Sequence, residues 1–340
     1  MQPFVFQSAN DPSAAMQALM QALAASGGNN VTEAPVQALA GGTTLIDLMK
    51  LDVMRPSTVI DINPLSAAWS QINLEGGNLR VGAMARMADV AAHPEIQNNY
   101  PVVADSLKLA ASAQLRNMAT LGGNVLQRTR CTYFRDISYG NCNKRNPGSG
   151  CAAMEGINRM HAVLGTSDQC IATYAGDFAQ SLIALDGSVE ITGKSGTRSI
   201  GFAQLHRQPG NSPHIETTLA PGELISGFTI PGRWPRSAYL KVRDRQSYEF
   251  ALASAAVALD MQDGVVRDAR LALGGVATVP WRAREAEALL KGQKFDDALA
   301  ERVADAAFAG ATPRRHNAFK IALGKRVVAR ALHQAATMEV

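Results

Sequence analysis

The ten residues Val36-Gln-Ala-Leu-Ala-Gly-Gly-Thr-Thr-Leu45 decide how the first half of the chain is read. Val36 to Leu39 reads as a short apolar strand, and Leu45 to Leu51 as a helix. Between them stand two glycines and two threonines. Glycine lets a ligand approach the backbone closely, and the free N–H groups at a helix start suit a phosphate. An isolated Gly-Gly pair nevertheless reads first as a tight strand-to-helix turn. The run lacks the lysine of G-x-x-x-x-G-K-[ST], and it does not fit G-x-G-x-x-G.

A second pair, Thr120-Leu-Gly-Gly-Asn124, changes the weighing. Two Gly-Gly loops flanked by threonine or asparagine make two walls around one dinucleotide, each offering backbone donors to a pyrophosphate. Around them, Asn10 or Asp11 caps a helix that starts at Pro12 and ends before Gly27-Gly28. Strands are expected at Thr58 to Ile62 and Leu79 to Met84, and helices at Met87 to Ala92 and Pro101 to Ser112. Residues 113–175 show neither period and read as a long irregular insert, a kind of segment that is usually functional. A helix at Asp177 to Leu185 and strands at Val189 to Thr192 and Leu224 to Ile230 follow. Pro231-Gly232 and Pro235 mark a boundary. Beyond it, strands at 238–242, 251–260 and 265–273 precede helices at 282–291, 296–309 and 317–335, a small sheet covered by helices.

At 340 residues, two domains are the default. Apolar residues are 46% and charged residues 18%, a globular balance. The net charge of +4 is too dilute for a nucleic-acid footprint. The apolar run Ala251 to Leu259 is too short to span a membrane. MQPFVFQSANDP lacks the regions of an export signal, so export is expected only as cargo of a partner.

All four cysteines, Cys131, Cys142, Cys151 and Cys170, fall in one 40-residue window. Two disulfides would allow three pairings, but a domain of this size needs no staple, and shared ligation is the stronger reading. The wide spacing fits no C-x2-C pattern of zinc ribbons or ferredoxins. Arg128, Arg130, Arg135, Lys144 and Arg145 face one acid, Asp136, between Gln127 and Cys151. That surplus is expected to lower the thiol pKa values and offset the charge of a thiolate-bound [4Fe–4S] cluster, and a zinc–thiolate site would use it equally. The six histidines form no H-E-x-x-H pair.

The run Leu39 to Lys50, followed by Gln114-Leu-Arg-Asn-Met-Ala-Thr-Leu-Gly-Gly-Asn124, resembles the FAD-binding subunit of the xanthine dehydrogenase and molybdenum hydroxylase family. The likeness continues through DFAQSLIALD (177–186), PGELISGFTIP (221–231) and YLKVRDRQSYEFALASAAVAL (239–259), covering nearly the whole chain. It implies an α+β protein with an FAD-binding domain of the vanillyl-alcohol-oxidase (PCMH) type, residues 1–232, built from two α/β subdomains. A cysteine-rich insert occupies about residues 125–172, and a C-terminal α+β domain, 236–337, like that of CO dehydrogenase flavoproteins carries a small antiparallel sheet with three helices. The resemblance further implies that Gln37, Ala38, Leu39, Ala40, Gly41, Gly42, Thr43, Thr44 and Leu45 wrap the FAD pyrophosphate. Thr120, Gly123 and Asn124 form the second wall. Asp177, Leu224, Ile225 and Lys241 match positions near the flavin or its ribose, and a cation at Lys241 would stabilise an anionic reduced flavin.

Most subunits of the family lack the insert. Gln127 to Arg135 and Cys142 to Cys151 look like the version in three-subunit periplasmic aldehyde oxidoreductases, which implies that Cys131, Cys142, Cys151 and Cys170 hold a [4Fe–4S] cluster. His161, nearest the insert, is placed where it could touch flavin or cluster, but reads first as an ordinary hydrogen-bonded histidine. The expected role is an electron-transfer subunit. It would take electrons from a large molybdenum-cofactor subunit and a small [2Fe–2S] subunit and pass them through FAD to an external acceptor. The compartment is the periplasm, by co-export with a signal-bearing small subunit, or else the cytoplasm. Competing readings are a stand-alone FAD-dependent oxidase and a zinc-stabilised interaction module in which the glycine pairs are turns.

Overall fold

The structure, a computed structural model, describes residues 1–26 and 32–340. The pair Gly27-Gly28, expected to end the first helix, lies outside the described residues.

The first layer contains β1 (Val5–Ser8), α1 (Pro12–Ser26), β2 (Val36–Leu39), α2 (Leu45–Lys50) and β3 (Thr58–Asp61). The strands form a parallel sheet in the order β1-β3-β2. Parallel neighbours need crossover connections, and α1 supplies the one between β1 and β2. Asp11 caps α1 as anticipated, its Oδ1 accepting the Ala14 N–H at 2.8 Å. Ala15 and Leu19 of α1 bury themselves on Val36 and Ile60 of the sheet.

The second layer runs through α3 (Ser66–Trp69), β4 (Ile72–Glu75), β5 (Asn78–Gly82), α4 (Met87–Ala92), α5 (Pro94–Asn99) and α6 (Pro101–Lys108). It continues with α7 (Ala113–Met118), α8 (Leu121–Val125), α9 (Thr132–Arg135), α10 (Phe178–Ala184), β6 (Ser188–Gly193), β7 (Gly196–Gly201) and β8 (Leu224–Ile230). Its sheet is antiparallel in the order β4-β5-β8-β6-β7. The segment 113–175 is less irregular than its composition suggests. Ser112 and Thr120 cap α7 and α8 through their hydroxyls, which allows helices too short to show a period. The helix expected to reach Ser112 stops at Lys108, and Ala111 follows with a positive φ of 48°.

The last layer is β9 (Ser237–Val242), β10 (Ala253–Gln262), β11 (Val265–Gly274), β12 (Trp281–Arg282), α11 (Arg284–Leu290), α12 (Asp297–Ala307) and α13 (Phe319–Ala336). Its sheet has the order β12-β11-β10-β9, with all pairs antiparallel. The alternation along β10 explains its placement. Ala255, Val257 and Leu259 face the core under α12 and α13, whereas Ala256 and Ala258 join the core of the second layer. Both faces are buried, so the strand reads as an almost continuous apolar run. Alanine on the inner face admits α6 and α10 close to the sheet, and the Val102 N–H donates to Ser237 Oγ across that contact at 3.2 Å.

Candidate cofactor site

Gln37, Ala38 and Leu39 lie in β2, paired in register with Val59, Ile60 and Asp61. Ala40 to Thr44 form the half-buried turn into α2. Both glycines are sterically required. A β-carbon on Gly41 would collide with the carbonyl oxygen of Met118, and Gly42 adopts φ +74° with Ile46 Cδ1 2.8 Å from where its β-carbon would stand. The collision at Gly41 shows that the two glycine-bearing segments touch. Arg86 ties them further, donating to the Met118 carbonyl and to Asn63 Oδ1, while Asn63 Nδ2 donates to the Ala40 carbonyl at 3.0 Å. Among the described residues, the N–H groups of Gly41 to Leu45 make no protein hydrogen bond. A half-buried row of unspent donors is what an anionic ligand needs.

The second pair differs from expectation. Gly122 and Gly123 lie inside α8 rather than in a loop, and their backbone donors are spent. The N–H of Leu121 goes to Ala85 O, that of Gly122 to Ala83 O, that of Gly123 to Thr120 Oγ1 at 3.2 Å, and that of Asn124 to Thr120 O. The capping threonine turns the segment into a helix and removes the donors that a loop would have offered. What remains is a side chain. Asn124 Oδ1 is buried without a hydrogen-bond partner, an unmet acceptor of the kind a bound group satisfies.

Asp177 and Lys241 form a buried ion pair, 2.7 Å from Nζ to Oδ2, with Lys241's side chain 1% exposed. Tyr239 donates to Asp177 Oδ1 at 2.7 Å, and Lys241 Nζ also donates to the Leu109 carbonyl at 3.1 Å. The lysine is therefore not a free cation. Its charge is held by an aspartate that the sequence places 64 residues away. Leu224 is buried with Val36 and Ile60, with Ala38 and Ala40 packed alongside, so it backs the first loop. Ile225 belongs to the larger core.

The four cysteines are free thiols, and Cys142, Cys151 and Cys170 all lie near enough to Cys131 to act on it electrostatically. Cys142 and Cys151 face each other as antiparallel bridge partners, fixed by Asn143 N–H to Gly150 O and Ala152 N–H to Asn141 O. Asn143 Nδ2 reaches Gln169 and carries the Cys170 segment to the same place. Burial pushes the Cys131 thiol up to about 12, with smaller upward contributions from Cys142, Cys170 and Cys151. Cys170 is pushed up to about 11, again by burial first. Backbone N–H groups turn toward the sulfurs, Ala172 to Cys170 Sγ at 3.4 Å, and Ala153, Ile171 and Met154 to Cys151. Among the described residues, no three His, Cys, Asp or Glu side chains are disposed around a single metal ion.

The basic surplus does not act on the thiols as anticipated. Arg128 and Lys144 are paired with Glu216 at 2.7 and 2.6 Å, and Arg130 and Arg135 with Asp47 at 3.2 and 2.7 Å. Arg145 donates to the carbonyls of Tyr133, Phe134 and Tyr139. Of the five, Lys144 lowers Cys170, against a larger burial effect. The partner acids lie outside the insert, so a charge count confined to residues 127–151 could not see them. Asp47 belongs to α2, and Leu48 of the same helix packs with Phe134, Cys131 and Cys142. The helix that follows the first glycine loop is thus the platform on which the insert sits.

A cavity of about 230 Å³ lies between the insert and the last sheet. Thr129, Cys131, His161 and Tyr174 line one side, and Phe250, Ala251 and Gly275 the other. His161 is 4% exposed, and its Nε2 lies 3.1 Å from Cys131 Sγ, which places the ring against the thiol site. Burial, then Lys320, pushes its pKa down to about 4, so the ring is neutral. Lys320 was missed because a lysine on an amphipathic helix reads as a solvated one. It is wholly buried, and burial pushes it down to about 7.

Unspent backbone donors on the first loop and the unmet amide acceptor of Asn124 suit a phosphate-bearing cofactor. The profile described as "FAD binding domain in molybdopterin dehydrogenase" matches residues 11–233, and the one described as "CO dehydrogenase flavoprotein C-terminal domain" matches 238–335. The chain belongs to the FAD-binding medium subunits of the molybdenum hydroxylase family, an oxidoreductase subunit that binds FAD. It is 48% identical to the aldehyde oxidoreductase FAD-binding subunit PaoB of Escherichia coli over 87% of this chain and 90% of that one. It is 26% identical to the glyceraldehyde dehydrogenase medium chain of Sulfolobus acidocaldarius over 85% and 83%. A solved carbon monoxide dehydrogenase chain of Hydrogenophaga pseudoflava superposes with a TM-score of 0.74 at 25% identity, covering 98% of this chain and 97% of that one. No helix among the described residues is long and apolar enough to cross a membrane.

Proposed function

We propose that this chain is the FAD- and [4Fe–4S]-containing electron-transfer subunit of a heterotrimeric, molybdenum-dependent aldehyde oxidoreductase. Its partners are a large molybdenum-cofactor subunit and a small [2Fe–2S] subunit, and its electrons leave to an external acceptor. The observation that carries this reading is that Cys142, Cys151 and Cys170 all lie near enough to Cys131, which lines the cavity, to act on its thiol, in a chain 48% identical to an aldehyde oxidoreductase FAD-binding subunit.

Bound FAD supplies exchange between two-electron and one-electron chemistry, and a cubane cluster supplies one-electron storage. The residues of this chain do the rest. Gly41 to Leu45 offer unspent N–H donors to the FAD phosphates, Gln37 to Leu39 carry that loop on β2 with Ala40 opening the turn, and Thr120, Gly123 and Asn124 are the second wall, in the segment that follows the Met118–Ala119 stretch touching Gly41. Leu224 supports the loop from behind, Ile225 packs in the larger core, and the Asp177–Lys241 pair fixes the end of α6 to β9. The four thiols hold the cluster. Those of Cys131, Cys151 and Cys170 would lose a proton on binding iron, because burial pushes their pKa values up. The N–H groups aimed at Cys170 and Cys151 stabilise the resulting thiolates. Phe134, wholly buried beside Cys131 and Cys142, keeps water out.

Anaerobic addition of an aldehyde to the purified three-subunit complex tests the assignment. Bleaching of the flavin absorption is expected in the complex and not in this chain purified alone. Aldehyde-driven bleaching of the isolated chain contradicts the subunit role and favours a stand-alone oxidase.

A further inference from the structure

We propose that His161 is a positioning residue for the thiol site, donating a hydrogen bond from Nε2 to Cys131 Sγ and thereby raising the reduction potential of the cluster held there. The inference deepens the functional reading above and rests on it. His161 Nε2 lies 3.1 Å from the sulfur, while its Nδ1 is buried with no partner. Nε2 is the ring nitrogen that has a partner, so a ring proton is best placed there, where the sulfur of a ligating thiolate accepts it. A hydrogen bond donated to a ligating sulfur favours the more negative, reduced form of an iron–sulfur centre.

The donor is not held by chance. Asn317 Nδ2 donates to the carbonyls of His161 and Ala162 at 3.3 and 3.0 Å, and Lys320 Nζ donates to that of Met160 at 3.0 Å. Asn158 Oδ1 accepts the N–H of His316 at 2.9 Å. The C-terminal module therefore grips the loop 158–162 from more than 150 residues away in sequence and presses its histidine against the thiol. Cys131 and His161 both line the cavity between the two, so the hydrogen bond sits on the side of the thiol site that faces it.

The test is a redox titration followed by EPR on the holo-complex, comparing wild type, His161→Leu and His161→Gln, with iron content measured in each. The leucine variant is expected to shift the one-electron 2+/1+ equilibrium of the cluster about tenfold toward the oxidised form, a fall of about 59 mV. The glutamine variant, which keeps an N–H donor, is expected to stay near the wild-type potential. Loss of iron in the leucine variant with a loaded glutamine variant also supports the role, since the donor is then needed for the cluster to be held. Equal potentials in all three proteins, or loss of iron in both variants, overturn it. A wild-type complex without iron or an EPR signal removes the cluster reading itself, and this inference with it.

Discussion

Gly41 is pressed against Met118 so closely that no side chain fits between them, and this contact joins the two glycine-bearing segments of the chain. Gly41→Ala is expected to push residues 118–120 away from the first loop. Overpacking against backbone typically costs about 1–3 kcal/mol. The purified variant should show a lower thermal midpoint and retain less FAD. Gly140→Ala, where the added carbon meets nothing within 4 Å, serves as the control and should leave both unchanged.

Lys241 and Asp177 are an ion pair removed from water, so breaking it leaves a buried charge. Lys241→Met is expected to destabilise the chain by about 3 kcal/mol in urea unfolding. Combining it with Asp177→Asn should recover part of that loss, because the uncompensated charge is then gone. A double variant weaker than the sum of the two singles would count against the pairing.

Glu216 ties Arg128 and Lys144 of the insert to the loop before β8. The two cations, working against burial, pull its carboxyl down from the usual 4.5 to about 2. The unfolded chain therefore takes up the proton first as pH falls. The stabilisation is complete above about pH 4.5, shrinks as pH drops through the interval, and is gone below pH 2. It is on the order of 2 kcal/mol. Stability measured across this range should fall more steeply in the wild type than in Glu216→Gln, which is weaker at neutral pH because Arg128 is left without its carboxylate.

Sequence legibility followed burial. Strands β2, β3, β8, β9 and β11 were readable because apolar residues mark their buried faces. The strand β1 was not, since all four of its residues are exposed, and most of β7 is exposed as well. The cysteines were readable as a group because all four fall within 40 residues. Their surroundings were not. Glu216, Asp47 and Lys320 come from elements 72 to 160 residues distant from their partners, and only the fold brings them in. The second glycine pair misled for a local reason, as the Thr120 hydroxyl closes a helix where a loop was expected.

Replacing a single thiol is expected to separate FAD binding from the proposed cluster. Cys151→Ser alters a half-buried cysteine of the insert and leaves the first loop untouched. The variant complex is expected to lose most of its iron from this subunit while keeping its flavin. Equal loss of both would mean that the insert holds the FAD fold together rather than a separate centre.

The most direct measurement is the flavin and iron content of this chain purified anaerobically, with EPR after reduction. The account expects one FAD and the iron of one cubane per chain, with a reduced [4Fe–4S] signal that disappears when Cys131, Cys142, Cys151 and Cys170 are replaced by serine. Bound FAD with no iron and no signal would contradict the central claim about the thiol site, and a colourless protein would contradict the whole assignment.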